Sequence, residues 1–490
     1  MNAITDTPVR LRQIADLPHP PMRPVRGNAG QLDRARVHQT VEKWAQQYGK
    51  LFRMRFGRVN LLVVADHALL AEVMRDRPDG WKRNPRTKDI SQELGLPRGV
   101  FSAEGEEWKA QRRIVIASFA PGNIRAYFSQ MTKVTERLQT RWLKAAHSGK
   151  ALPLQSELMR YTVDTIAGLA LGDDINTLEA GEDVIQQHLD KVLPAVFRRA
   201  FTPFPYWRWF KRKADRELDR SVATINTEIA RFVAQARAQL RDQPTLREKP
   251  RNLLQAMIVA AEADGGLADD AIAGNVLTML LAGEDTTANT LAWLINLLHR
   301  HPQTMQRARQ EVHSVLGAAA GKPQAFTLEL MDSLPYLDAC INEAMRLKPV
   351  APFIGLQALR DTRIADVHVP KDTLLWGVLR HDSMGEAHFP KPELFDPQRW
   401  LAADAVDGTT VSAANPNAAS ASAKRVAMPF GAGPRICPGR YLALLEMKLA
   451  MSMLLSRFSV TAVDTPDGLE AKELLQFTMA PMGLMMKLAA

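Results

Sequence analysis

A chain of 490 residues that is 46% hydrophobic and 24% charged has an ordinary globular composition and can bury a core around a large cofactor, which excludes a disordered whole. Its two cysteines exclude a disulfide framework and a multi-cysteine zinc site, and they fit a reducing compartment. A formal charge of +10 favours anionic partners in general, but the basic residues are spread along the chain with no nucleic-acid-binding signature, so nucleic acid is set aside.

No run of linker composition divides the chain, so 1–490 is read as one domain with an extended, proline-rich entry over 1–30 that lacks a signal-like apolar stretch. No segment approaches the roughly 20 uncharged apolar residues of a membrane span, and a cytoplasmic monomer is expected. Leu51 to Asp66 predicts two short strands, FRMRF and LLVVAD, about a turn at Gly57 to Asn60. From Asp66 to Arg346 the pattern is mostly helical. Within it, Trp108 and Arg112 stand four residues apart on one helix face, where indole N–H and guanidinium can reach the same carboxylate. Alone, such a pair is more often packing plus a surface charge. Phe197 to Lys213, FRRAFTPFPYWRWFKRK, interleaves aromatic and basic residues; it suits a membrane surface or an anionic substrate, and equally a solvated helix pair with buried aromatics.

The run from Asp269 to His301 predicts one long helix with acidic residues at its start and Pro302 just beyond its end. Its flanks are apolar, yet its centre reads Ala282, Gly283, Glu284, Asp285, Thr286, Thr287. Burying those polar groups without partners would cost roughly 1–3 kcal/mol each, so they need either a surface-facing stripe or a function. Glu343 and Arg346 follow one helical turn apart, and FDPQRW brings Arg399 later; alone, this trio is a weak surface salt bridge. Beyond Pro349 short apolar pieces, LLWGVL, QFTMAP and MGLMMKL, predict small sheets. Residues 402–424 are rich in Ala, Ser, Asn, Thr and Gly and are read as an exposed flexible loop.

Phe430 to Gly439, FGAGPRICPG, is the most informative segment. Gly431 and Gly433 let the main chain approach a flat ligand. Cys437 stands just before a helical run from Arg440 to Arg457, where the helix dipole and free N–H groups favour a thiolate. Arg435 offers a fork of donors to a carboxylate. A lone cysteine in a turn is more often structural, but here the whole pattern counts.

That pattern, with Phe430, Gly431, Gly433, Arg435, Cys437 and Gly439 at its fixed positions, resembles the haem-binding loop of the cytochrome P-450 family. The order A-G-E-D-T-T resembles that family's oxygen-activation motif, Glu343/Arg346 with Arg399 its E-x-x-R network, and Trp108/Arg112 its W-x-x-x-R helix. The resemblance implies a mainly α fold with minor β. It implies haem b bound non-covalently through Cys437, with Arg435, Trp108, Arg112, Phe430, Gly431, Ala282 and Gly283 in its cradle. Thr286 is then the alcohol beside dioxygen and Asp285 its neighbouring acid, since activating dioxygen consumes protons that an alcohol backed by a carboxylate can relay. One departure is that PVAPFIGLQA places Leu356, with Gln357 beside it, where many members supply a further propionate arginine.

The implied activity is a monooxygenase that hydroxylates or epoxidises a lipophilic substrate. Substrate contacts are expected from the loop before Trp108, Leu193 to Phe210, Met279 to Ala282, Val350 to Leu356 and Met479 to Met482. With no flavin, nicotinamide or iron–sulfur motif in the chain, electrons come from a separate ferredoxin- or flavodoxin-type protein with its reductase, and Lys109, Arg113, Lys424, Arg425 and Arg440 form a basic docking patch for it. A peroxide-driven peroxygenase or an isomerase, and a non-catalytic haem sensor, are the competing readings; Asp285 and Thr286 argue against both.

Overall fold

The computed structural model describes residues 11–172, 174–180, 184–202, 204–401 and 418–490. The expected hairpin is present as β1 (Leu51–Phe56) and β2 (Val59–Val64), with Leu51 opposite Val64 and Gly57 at φ +59° in the turn. Of the extended entry, 11–30 carries a short strand at Arg12–Gln13 and single helical turns, while 1–10 lies outside the described residues. Helix α1 (His67–Arg75) begins at Asp66, whose carboxylate accepts the N–H groups of Ala68 and Leu69 at 2.9 and 3.0 Å, a side-chain N-cap. Strand β3 (Trp81–Arg83) falls in a stretch whose pattern reads as helical; three residues are too few for an alternation to register.

Helices α2 (Gly105–Ser118), α3 (Pro121–Ser148), α4 (Leu154–Leu171), α5 (Val192–Ala200) and α6 (Lys213–Asp242) precede the central helix α7 (Asp269–Arg300). At 1.5 Å per residue α7 is about 48 Å long. Asp269 and Asp270 in its first turn and His299 and Arg300 in its last complement the helix dipole. Two glycines let neighbours press onto it. A Cβ on Gly283 would sit 2.7 Å from Ile166 of α4, and one on Gly274 would sit 2.3 Å from the carbonyl carbon of Arg98. The loop before α2 thus lies directly on α7, fastened where the Val100 N–H donates to Asn275 Oδ1 at 2.6 Å.

After α8 (Pro335–Leu347), strands β4 (Phe353–Ala358) and β5 (Leu374–Val378) complete a five-stranded sheet in the order β1-β2-β5-β4-β3, parallel only between β2 and β5. The flexible loop expected over 402–424 needs correction. Residues 402–417 lie outside the described residues, but 418–424 belong to helix α9 (Ala418–Ala427). Alanine is the strongest helix former, and Ala423, Val426 and Ala427 recur at helical spacing and pack against Ala339, Phe389 and Trp400. Helix α10 (Arg440–Arg457) leads to β6 (Glu473–Leu475) and β7 (Met479–Pro481), paired antiparallel, and to a last strand at Met485–Ala489. The fold is mainly α with small sheets, as expected.

Candidate active site

The segment between α9 and α10 is shaped by close approach. Gly433 has φ +69°, and a Cβ there would meet the Met74 carbonyl oxygen of α1 at 2.4 Å, so only glycine lets the loop pass. Gly431, at φ +76°, has open space where its side chain would be. The Cys437 N–H donates to the Phe430 carbonyl at 3.0 Å, folding the loop back on itself. Burial pushes the Cys437 thiol up, while the Gly439 N–H and the charges of Arg112 and Arg440 pull the other way without cancelling it. Such a sulfur becomes thiolate readily once a cation binds to it.

Cys437 opens into a cavity of about 1390 Å³, above the roughly 300–1,000 Å³ of a single small-ligand pocket. Phe430, Gly431, Arg435, Trp108 and Arg112 share its wall, as do Ala282, Gly283, Thr286, Thr287 and Thr290 from α7. The volume suits a flat macrocycle with a substrate beside it.

Charge in that wall is strongly unbalanced. Arg77, Arg83, Arg112 and Arg435 line it, with further arginines Arg34, Arg86 and Arg208 against the acids Asp89, Asp372 and Glu446; Glu104, just behind the wall, pairs with Arg435 and lies near Arg77 and Arg83. Arg435 also donates to the Ala103 carbonyl at 2.8 Å and lies 4.6 Å over the Trp108 ring, while Arg112 donates to the Ile436 carbonyl at 2.5 Å. Yet Arg77 Nε and Nη2, Arg112 Nε and Arg435 Nε are buried with no hydrogen-bond partner. Burial and the neighbouring guanidinium groups push Arg77 down to about 9 and Arg83 down to about 10. Unpaired buried donors beside excess cations call for anionic acceptors, and the two propionates of a haem are such acceptors, so the residues present fit the group.

Arg77, Arg83 and Glu104 were not read from the sequence as site residues. The available signal was Leu356, but it was misplaced: Leu356 is fully buried on the far side of β4 in a core with Trp81 and Leu375, and does not line the cavity. Its cross-strand partner on β3 is Arg83. Positive charge thus enters from the strand paired with the one where an arginine was expected.

On α7 the cavity takes only part of the expected pair. Thr286 lines it, its hydroxyl donating back to the Ala282 carbonyl at 2.7 Å. Asp285 does not; it faces a second cavity of about 280 Å³ together with Glu284, accepting from Asn289 Nδ2 at 2.8 Å and from the Thr478 hydroxyl. Consecutive helical residues point about 100° apart, and the neighbour of Thr286 that shares the haem cavity is Thr287, while Asp285 turns the other way. Gly283 borders that cavity, but the space of its missing side chain is filled by Ile166.

The E-x-x-R elements do meet. Glu343 is fully buried and accepts from Arg346 Nε and Nη2, each at 2.8 Å, from Arg399 Nε at 3.3 Å, from Trp400 Nε1 at 2.8 Å and from the Asp396 N–H at 3.0 Å. Arg346 also donates to the Ser383 carbonyl at 2.6 Å.

Four of the five expected substrate segments reach the cavity, through Phe101, Phe197 and Phe201, Met279, and Val350 to Gly355. The fifth is corrected: Met479 to Met482 stay out, and Leu475 and Phe477 take that wall. Phe101 lies beneath the Arg83 guanidinium at 3.7 Å and 6.1 Å from the Phe477 ring. The segment 197–213 splits between its two readings, with Phe197, Phe201 and Trp207 turned inward and Phe204, Trp209 and Phe210 exposed. Of the basic patch, Lys109 is compensated by Glu106 at 2.8 Å and Arg113 by Asp264 at 2.8 Å, whereas Lys424, Arg425 and Arg440 are exposed.

The family model for cytochrome P450 matches residues 17–488. The chain belongs to the cytochrome P450 family. This P450 is 29% identical to cytochrome P450 27C1 of Danio rerio over 89% of its length and 80% of that protein's, and 27% identical to the mitochondrial 25-hydroxyvitamin D-1 alpha hydroxylase of Homo sapiens over 87% and 83%. It is 28% identical to a self-sufficient cytochrome P450 monooxygenase of Phanerodontia chrysosporium, but spans 41% of that longer protein. A crystal structure of a cytochrome P450DA heme domain superposes with a TM-score of 0.80 at 23% identity, over 97% of this chain and 98% of that one. Members of the family are monooxygenases that bind haem b through a cysteine thiolate and draw electrons from a redox partner, and this P450 is an oxidoreductase of that class. Among the described residues no helix is long and apolar enough to cross a membrane.

Proposed function

We propose that residues 1–490 form one haem domain that inserts one atom of dioxygen into a lipophilic substrate, working as a cytoplasmic monomer supplied by a separate ferredoxin- or flavodoxin-type donor. The observation that carries the site assignment is the shared cavity: Cys437, four arginines, three of them with buried unpartnered N–H groups, and Thr286 all open into it. Cys437 is the sulfur ligand. Arg435, Arg112 and Trp108, joined by Arg77 and Arg83, would hold the propionates, and Phe430, Gly431, Ala282 and Gly283 would complete the cradle. Bound haem b supplies the activation of dioxygen. Thr286 holds a proton at its Oγ1 on the cavity wall, and Asp285 recharges that hydroxyl from behind the helix. Phe101, Phe197 and Phe201 bind apolar substrate and exclude water. The cytoplasmic part rests on both cysteines being free thiols. The docking surface rests on exposed Lys424, Arg425 and Arg440 near the cysteine loop.

The ferrous carbon monoxide difference spectrum tests the reading. Wild type gives a strongly red-shifted Soret band and Cys437→Ser loses it; a folded, haem-loaded wild type without the band overturns the assignment. Turnover with hydrogen peroxide but none with an electron donor would favour a peroxygenase.

A further inference from the structure

Leu281, Glu284, Asp285 and Asn289, spaced at helical intervals, line the 280 Å³ cavity behind the haem-facing residues of α7. Gln476 and Thr478 from the C-terminal hairpin and Asp190 close it. The volume holds roughly nine waters at ~30 Å³ each. Glu284 is 3% exposed, its Oε1 has no hydrogen-bond partner, and its carboxyl shares a hydrogen bond with that of Asp190, which is exposed to solvent. Two carboxyl groups joined by a hydrogen bond must hold a proton between them. Asp285 is anchored toward the same space by Asn289 and Thr478. A file of acids therefore runs from the surface at Asp190, through buried Glu284, to Asp285 and its chain neighbour Thr286.

We infer that this cavity is the proton inlet of the enzyme, with Asp190 and Glu284 acting through Asp285 to resupply Thr286. The inference rests on the monooxygenase reading and goes beyond it, since a relay of alcohol and neighbouring acid needs neither Asp190 nor Glu284. Asp190 takes a proton from water, Glu284 receives it on one oxygen and releases another from its second oxygen through cavity water to Asp285, and Asp285, once its side chain swings away from Asn289 and Thr478, passes one to the Thr286 hydroxyl as that group donates into the haem cavity. Each carboxyl ends as it began; one proton has moved inward and no electron has moved. Burial and the neighbouring acids hold both Glu284 and Asp285 above the usual carboxylate range, which keeps protons available in the file.

The test compares wild type, Glu284→Gln, Glu284→Asp and Asp190→Asn as haem-loaded enzymes, with the carbon monoxide spectrum as control for haem and fold. Infrared spectroscopy of the resting enzyme should show the carbonyl stretch of a protonated carboxylic acid that disappears in Glu284→Gln and shifts in Asp190→Asn. In turnover, product per reductant consumed should fall by about tenfold or more in Glu284→Gln, with an enlarged solvent isotope effect, and Glu284→Asp should restore part of both. If Glu284→Gln does not fold, Asp190→Asn, a change at an exposed position, carries the same kinetic expectations at smaller size. A wild-type band together with wild-type coupling and isotope effect in the variants overturns the inlet and leaves the monooxygenase reading standing; a wild type without the red-shifted spectrum fails the reading itself.

Discussion

Asp285 and Thr286 are joined by one peptide bond and open onto different cavities, the acid facing Thr478 and Asn289 and the alcohol facing the space above Cys437. The central helix is thus a partition between two compartments, and the C-terminal segment from Leu474 to Thr478 alternates its side chains between the same two.

Removing the alcohol should separate reductant use from product. Thr286→Ala is expected to keep the red-shifted carbon monoxide spectrum and consume reductant while product per reductant falls by about tenfold or more. Thr286→Ser should retain most of the coupling. Parallel measurement of reductant, peroxide and product checks this, and intact coupling in the alanine variant would remove Thr286 from the proton path.

The arginines of the cavity wall should show effects of opposite sign with and without cofactor. Arg77→Met deletes a buried guanidinium whose Nε and Nη2 lack partners, so the cofactor-free protein should unfold at an equal or higher temperature, while haem transfer to an acceptor protein accelerates by about tenfold, the equivalent of one charge-assisted hydrogen bond. Arg83→Leu should likewise speed haem loss. Unchanged transfer rates in both would mean that neither contacts a propionate.

Glu343 holds the charge of Arg346 in a setting where both side chains are inaccessible. Glu343→Ala strands that charge and should cost about 3–5 kcal/mol, read from denaturant midpoints, whereas Arg399→Ala, removing the longer 3.3 Å contact, should cost less.

Acid should weaken the joint between the helix Val37–Tyr48, which carries His38, and the C-terminal hairpin. Burial alone would raise Glu473, but hydrogen bonds from His38 and Arg380 and the charges of Arg380 and Lys348 hold it well below its ordinary 4.5. A carboxyl with a depressed folded-state value lends stability that is complete above the ordinary value and is lost as pH falls through the folded one. Glu473→Gln should therefore be less stable than wild type at pH 7, and the gap should shrink progressively below about pH 4.5. Melting temperatures across that range decide it; a gap independent of pH would refute the linkage.

Gly274→Ala should lower the melting temperature and disturb substrate binding together. Its Cβ would meet the Arg98 carbonyl at about 2.3 Å, pushing the loop that carries Val100 and Phe101 off α7 and breaking the bond to Asn275. The expected destabilisation is about 1–3 kcal/mol.

The long helix, the cysteine loop, the early hairpin and the Glu343–Arg346–Arg399 network were legible because each is written locally, in period, glycine placement or spacing. What was not legible depends on contacts across the chain. Arg83 belongs to a three-residue strand whose meaning comes from its partner Leu356, and Glu284 gains significance only because Asp190 packs beside it. Helical geometry leaves open which neighbour of Thr286 shares its cavity, and contact with Thr478, 193 residues later, is what turns Asp285 away while Thr287 stays. Helix α9 was missed because small residues hide its apolar face.

On the proposed assignment of Arg83 to a propionate, its guanidinium stacked on Phe101, itself facing Phe477, joins the grip on the prosthetic group to the shape of the substrate wall. Evolution of a new substrate range at Phe101 or Phe477 would therefore proceed under a second constraint, retention of haem. Libraries randomised at these two aromatics should lose pigment in step with the size of the replaced ring, and the useful variants will be those that restore a flat surface beneath the arginine.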